Sequence, residues 1–295
     1  MKITQTLVFD TSLPQDKAIK TIASIEEMET LESLGDRFES VGVHEGMTLL
    51  VHTSLRSLGW VCGGAQTVID SLLNAVGPGG TIVFPAFTGN NTDPIHWRRP
   101  PVATEAVRRK ILANTPPHHT RHSLPWSNVG AVPRLAASWE GAVRSTHPQH
   151  SFLAIGPRAT DLCRPDEYNY DFPLGEEGVL GRLYELDATV LFIGAPWTAT
   201  TAWHLSEFRI HQPLPKQLVK DDVSVVTWKG KRAYAHYNTL WHDVSDFEDI
   251  GAEFLQHHGE ICSSLSLPGP FPLRRIGFRD LVDRAIPIIR TFRGL

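Results

Sequence analysis

His204 and Glu207 stand three residues apart in the run His204-Leu-Ser-Glu207-Phe-Arg-Ile-His211, so a helix would set them, with His211, on one face. An imidazole held by a carboxylate can take a proton from an amine or hydroxyl near neutral pH, which is general-base chemistry. The same three side chains are acceptable zinc ligands, so a metal-dependent hydrolase is the competing reading from another class. A third is a catalytically dead module that only binds a ligand, against which the pairing of His204 with Glu207 argues. A second candidate region is the loop from Thr53 to Gly64, with Ser54, Ser57, Gly59, Gly63 and Gly64 ahead of a helical pattern. Backbone N–H groups of such a loop can face an anion, as a pyrophosphate-bearing cofactor would require, although an ordinary strand-to-helix turn has the same composition. Cys62, in that loop, is a candidate acyl-accepting nucleophile, but packing is the commoner fate of a lone cysteine.

Elements of the right kind flank these residues. MTLLVH before the loop reads as a buried strand, AQTVIDSLLNAV after it as a helix, and TIVFPAF as a second strand, which together make a β-loop-α-β unit. SFLAIG and TVLFIGA read as further buried strands, with VLGRLYELD as a helix leading into the second. His204 follows that last strand and a Thr-rich turn, at a strand end where α/β domains place their ligands. Upstream, Ser24 and Glu27 form a capping box, and Ile25, Met28, Leu31, Leu34 and Phe38 recur at helical spacing to about Val41. VSVVTWKGKRAYAHY alternates around Lys229-Gly230 as a hairpin, and FRDLVDRAIPIIRTF is a closing helix kinked or broken at Pro287.

Between about residues 88 and 128 the composition turns to Asn, Pro, His, Arg and Trp, with one helical stretch, TEAVRRKILAN, that Thr104 can cap. An irregular segment of this length inside a compact chain reads as functional, and a candidate substrate lid on a single domain spanning residues 1–295. Trp97, Trp126 and Trp197 lie in or beside loops, where an aromatic wall can hold a sugar or another ring. Asp171, with Asp166, Glu167, Glu176 and Glu177, could receive a cationic substrate.

Composition removes several classes. The 295 residues carry 28 Lys and Arg against 32 Asp and Glu, a formal charge of -4 with no basic run, so nothing points to duplex nucleic acid. An apolar content of 41% fills a large core and excludes disorder. The three cysteines are far apart and form no C-x-x-C pair, the N-terminus has no apolar signal core, and no apolar run is long enough to span a bilayer, so a cytoplasmic protein is expected. Motifs for G-x-S-x-G hydrolases, P-loops, dinucleotide folds and H-E-x-x-H zinc proteases are absent.

LLVHTSLRSLGWVCGG, followed in order by HPQHSFLAIGP, FPLGEEGVLGRLYELD, VLFIG and HLSEFR, resembles the aminoglycoside 3-N-acetyltransferases over most of the chain. The resemblance implies a three-layer α/β/α sandwich with a mixed central sheet, acetyl-CoA as donor, no metal, and a small-molecule amine as acceptor, the 3-amino group of an aminoglycoside first. It implies that Ser54, Ser57, Leu58, Gly59 and Val61 hold the pantetheine and pyrophosphate of CoA. Arg144, Ser145 and His147, in R-S-T-H-P-Q-H-S, match the family's R-S-x-H-P-x-x-S and would complete the cofactor side, with Ser151 behind them. His204 corresponds to the catalytic histidine and Glu207 to the acid of H-L-x-E. Trp97, Asp171 and Trp197 are the expected acceptor contacts. The chain departs from the family where the acceptor would sit: Ala195 to Trp203 replaces the polar G-H-D-x-N-T-S run, and TPPHHTRHSLPWSNVG replaces F-D-P-x-x-T-P. A more aromatic, more basic pocket is expected, and a CoA-dependent acyltransferase of a non-aminoglycoside amine is the in-class alternative.

Overall fold

Apolar runs without polar alternation form strands that are covered on both faces. Leu49 and Val51 point to one core and Leu50 to the other, and Leu191 and Ile193 are likewise opposed to Val190 and Phe192. The structure, a computed structural model, describes residues 28–97, 104–165 and 169–295. Its central sheet contains β1 (Thr48–Thr53), β2 (Thr81–Pro85), β3 (Val143–Arg144), β4 (Phe152–Ile155), β5 (Thr189–Ile193), β8 (Ser263–Leu265) and β9 (Leu273–Gly277). The order is β3-β4-β2-β1-β5-β9-β8. β1 is parallel to β2 and β5, while β4 and β9 run antiparallel beside them, so the sheet is mixed.

Helices cover both faces. On one side lie α1 (Leu31–Ser40), α2 (Ala65–Val76) and α4 (Ala131–Ala136), which bury Leu34, Phe38, Val68, Ile69 and Leu72. On the other lie α5 (Ala159–Leu162), α6 (Val179–Glu185), α7 (Trp203–Ile210), α8 (Phe247–His258) and α9 (Phe278–Arg293). Trp203, Phe247, Phe254 and Phe278 fill the core between them and the sheet. This is the expected three-layer α/β/α sandwich. From β1 the chain passes through α2 to β2 on one side, whereas β5 lies on β1's other side, so the carboxyl ends of β1 and β5 flank a topological switch point where α/β proteins bind ligands.

α3 (Glu105–Asn114) is capped by Thr104 Oγ1, which accepts from Val107 N at 3.2 Å, as its sequence predicts. The hairpin of β6 (Val219–Trp228) and β7 (Lys231–Leu240) turns at Lys229 and Gly230, both at positive φ, as a two-residue type I′ turn requires. The segment before and after α3 lies along β6: Asp93 N donates to Val223 O, Val225 N to Asn91 O, and His118 N to Val225 O, each at 2.7–2.8 Å. Arg108 pairs with the buried Asp93 and closes this unit.

Three expectations are corrected. Ser24, Ile25 and Glu27 lie outside the described residues, but Met28 to Thr30 are not helical: Glu29 bridges Val61, and α1 starts at Leu31 under a Thr30–Ser33 capping box. α9 continues through Pro287 to Arg293 as one helix, which overturns the break there but not the kink. β8 and β9 extend the sheet beyond the strands read from apolar runs, because a short strand rich in arginine, such as LRRIG, carries no continuous apolar signal. Among the described residues no helix is long and apolar enough to cross a membrane.

Candidate active site

Buried polar side chains need partners, and the pair at the start of α7 has them. His204 Nδ1 lies 2.6 Å from Glu207 Oε2, and both residues are buried. Arg293 Nη1 donates to the other oxygen, Oε1, at 2.6 Å. Burial alone would raise the Glu207 carboxyl, but His204 beside it, with His242, outweighs this and holds it well below the usual carboxylate range. An ionised Glu207 is an acceptor for an Nδ1–H of His204, and in a neutral imidazole that tautomer would leave Nε2 able to accept a proton. The helix is held from behind: Trp203 Nε1 donates to Leu281 O and Ser206 Oγ to Val282 O, both on α9.

A cleft of about 600 Å³ opens at the carboxyl ends of β1, β2 and β5, a size suited to a cofactor or drug-sized ligand. Its lining includes His52, Ser54, Arg56, Phe87, Asn128 and Thr201. Thr201 O accepts from His204 N, so the cleft wall runs directly into the helix that carries the pair. His52 is pushed down to about 3, first by burial and then by the nearby His204, so its ring is neutral at pH 7. The His242 ring lies tilted against that of His204, 4.3 Å between centroids, and is lowered to about 4, mainly by burial. His150 joins them, 5.9 Å from His242 and 5.2 Å from Phe87, and is also driven neutral by burial.

The structure distributes the residues expected in the cofactor site. Ser54 lines the cleft; Ser57 sits behind it, its hydroxyl 3.1 Å from that of Ser54 and donating to Gly194 O at 2.8 Å. Gly59 turns the loop at φ +75°, while Leu58 and Val61 anchor it in the core. Arg144, Ser145, His147 and Ser151 hold the chain together instead of lining the described cleft. Arg144 donates to Ser151 Oγ and to the carbonyls of Ala86, Thr120 and Ser123, and burial lowers it to about 10. Ser145 Oγ accepts from Phe152 N, and Ser151 Oγ donates to Ala86 O. His147 Nδ1 accepts from the Gln149 and His150 amides and Nε2 donates to Tyr170 O, so neither nitrogen is left for a ligand.

The expected acceptor contacts are not brought together. Trp197 is buried against Trp203, 5.2 Å between parallel rings, with the Arg274 guanidinium 4.7 Å over it and Gly251 packed too closely for a Cβ. Trp203 is also core, so the aromatic replacements in Ala195–Trp203 strengthen packing and do not wall a pocket. Trp97 donates to Thr92 Oγ1, and Asp171 accepts from Asn238 N at the end of β7. Asp166 and Glu167 lie outside the described residues. Cys62 Sγ contacts Met28 Sδ, with no imidazole bonded to it.

His211 follows the end of α7 and is replaced in the cluster by His242, whose ligand atom with those of His204 and Glu207 lies within 4.8 Å. These three could hold a metal ion, but Arg293 already occupies the same carboxylate and would repel one. His52, Arg56, His150, His242 and Arg293 were not legible as site residues. Their signals are tertiary: a strand end, a turn, and the last turn of a distant helix.

The model of the family described as aminoglycoside 3-N-acetyltransferase matches residues 50–289. The SPbeta prophage-derived aminoglycoside N(3')-acetyltransferase-like protein YokD of Bacillus subtilis (strain 168) is 32% identical over 242 residues, 81% of this chain and 85% of that protein. The crystal structure of YokD superposes with a TM-score of 0.85 at 30% identity, over 93% of this chain and 98% of that one. Aminoglycoside N(3)-acetyltransferase VIII of Streptomyces fradiae is 36% identical over 68% of each chain. A structure of AAC-IIIb in binary complex with CoASH shares the fold, with a TM-score of 0.76 at 21% identity over 90% of this chain and 98% of that one.

Proposed function

The chain belongs to the aminoglycoside 3-N-acetyltransferase family of acyltransferases, and from that premise we propose that it transfers the acetyl group of acetyl-CoA directly to a small-molecule amine, with His204 as general base. The observation that carries this reading is the His204–Glu207 contact of 2.6 Å beside a cleft at a strand-end switch point. The acceptor amine loses a proton to His204 Nε2 and attacks the thioester carbonyl; Glu207 bears the imidazolium that forms; the tetrahedral intermediate collapses with CoA thiolate as leaving group. Holding both substrates in one cleft makes the attack effectively unimolecular. The N–H groups of Ser54, Ser57 and Gly59 are bonded to carbonyls of Ile193, Ser54 and Arg56, which leaves the Ser54 hydroxyl and the Leu55 and Arg56 amides, all in the cleft lining, as the candidate donors to the developing oxyanion. The 3-amino group of an aminoglycoside is the first acceptor to test, and the cytoplasm, where acetyl-CoA is made, is the expected compartment.

One observation favours a second acceptor class. Among the described residues lining the cleft, the one formal charge is Arg56, and no carboxylate stands ready for a polycation. An amine with few additional positive charges suits that lining. Thiol release from acetyl-CoA, measured against aminoglycosides and against singly charged amines with His204→Ala beside the native protein, decides both points. Turnover that His204→Ala abolishes supports the base; turnover confined to singly charged amines moves the acceptor; turnover that survives His204→Ala overturns the mechanism.

A further inference from the structure

Arg293 is the last residue of α9, and it joins two buried or half-buried carboxylates that the chain brings from different elements. Its Nη1 meets Glu207 Oε1 at 2.6 Å. Its Nε and Nη2 meet the two oxygens of Asp246 at 2.7 and 2.9 Å, and Nη2 also donates to Asp243 O at 3.0 Å. Asp246 is the N-cap of α8, where an aspartate ordinarily accepts an amide of its own helix. Here it makes no such cap, and both oxygens are given to Arg293. The family model ends at residue 289, before this arginine.

We propose that Arg293, oriented by Asp246, is a positioning residue that locks Glu207 against His204 and so makes the end of the C-terminal helix part of the catalytic apparatus. The inference rests on the reading of His204 as the base. Glu207 is 3% exposed, and without Arg293 its Oε1 would be a buried acceptor lacking a partner. The carboxylate would then turn or take up a proton, and either change releases the imidazole. The charges alternate along the row Asp246, Arg293, Glu207, His204. Asp246 therefore offsets the pull of the guanidinium on Glu207, which keeps its negative charge for the imidazolium formed in the reaction. Only a planar guanidinium can serve both carboxylates at once, one through Nε and Nη2 and the other through Nη1. A lysine ammonium in the same place would serve one or the other.

The test compares native protein with Arg293→Gln, Arg293→Lys and Asp246→Asn in two readouts. The first is the downfield proton resonance of the His204 Nδ1–H bonded to Glu207, identified by its absence in His204→Ala, and it needs no acceptor. The second is kcat against KM for acetyl-CoA. In Arg293→Gln the resonance is expected to disappear and kcat to fall about 100-fold, the scale of a misplaced catalytic group, with KM little changed. Arg293→Lys should not restore either, and Asp246→Asn should give an intermediate loss. If Arg293→Gln does not fold, Asp246→Asn carries the same test through the other partner. A resonance and kcat that stay native in these variants, with only a lower melting temperature, would show a merely structural arginine. If no amine supports turnover, the resonance still decides the positioning claim, separately from the acetyltransferase reading.

Discussion

Ser57 Oγ donates to the carbonyl of Gly194 at 2.8 Å, which ties the loop after β1 to the end of β5 behind the cleft wall. Gly194 has φ +62°, and a Cβ there would overlap Ser57 Cβ. Gly269 approaches the same serine from the other side, its N–H donating to Ser57 O at 2.8 Å. The loop expected to hold CoA is therefore set by close packing around one small side chain.

From this packing, Gly194→Ala should destabilise the protein by about 2 kcal/mol or more, since both the left-handed backbone and the overlap oppose it. Ser57→Gly removes the overlapping atom. The double variant should therefore be more stable than the sum of the two single losses predicts, a coupling read from urea denaturation of the four proteins. Strict additivity would mean that the two residues do not share this contact.

Glu207→Gln keeps the shape of the side chain and removes its charge. The hydrogen bond to His204 persists in weakened form, but the imidazolium of the transition state loses its counter-charge. The expected result is a fall in kcat of about 100-fold or more with KM for acetyl-CoA nearly unchanged, the range over which general-base assistance operates. Steady-state thiol release gives both constants. Native kcat in this variant would place the proton acceptor elsewhere.

Much of this arrangement could be read before folding and part could not. The buried strands at 48–53, 81–85, 152–155 and 189–193 declare themselves because both faces of each are covered, and the hairpin declares itself through Lys229-Gly230. His204 and Glu207 are legible because one helical turn brings them together. Arg293 is not, because 86 residues separate it from Glu207 and only the packing of α9 on α7 joins them. Motif matching alone does not separate polar residues that serve a ligand from those that serve the chain itself. Arg144 and His147 resemble cofactor contacts in sequence, yet backbone carbonyls and amides of their own neighbourhood use their hydrogen-bonding atoms. Trp197 follows a proline at a strand end, like a pocket wall, until Gly251 opens room for it in the core.

Arg56 lines the cleft from the turn after β1 and has no described carboxylate within ion-pair distance. A guanidinium with no described carboxylate beside it, in the lining of a cofactor cleft, suits a phosphate. Arg56→Gln should weaken CoA binding about tenfold, the loss of one charge-assisted hydrogen bond, and should flatten the dependence of affinity on salt. Calorimetric titration with CoA at two ionic strengths measures both. Unchanged affinity and salt dependence would remove Arg56 from the donor site.

The buried histidines should make the fold acid-sensitive. His52, His118 and His147 are each lowered to about 3 and His242 to about 4, burial being the first cause in every case. In the unfolded chain the same rings titrate near about 6.5. Between the two values the unfolded state binds more protons than the native state, so stability falls as pH falls. The loss begins near pH 6.5 and continues down toward the native values, at about 1.4 kcal/mol per pH unit for each ring that stays neutral. His118 offers a clean test, because neither of its ring nitrogens has a hydrogen-bond partner in the structure. Replacing it with Phe should reduce the slope of unfolding free energy against pH by about one proton's worth between pH 6 and 5. Urea denaturation at several pH values over that interval measures the slope. An unaltered slope would mean that His118 titrates alike in the folded and unfolded chains.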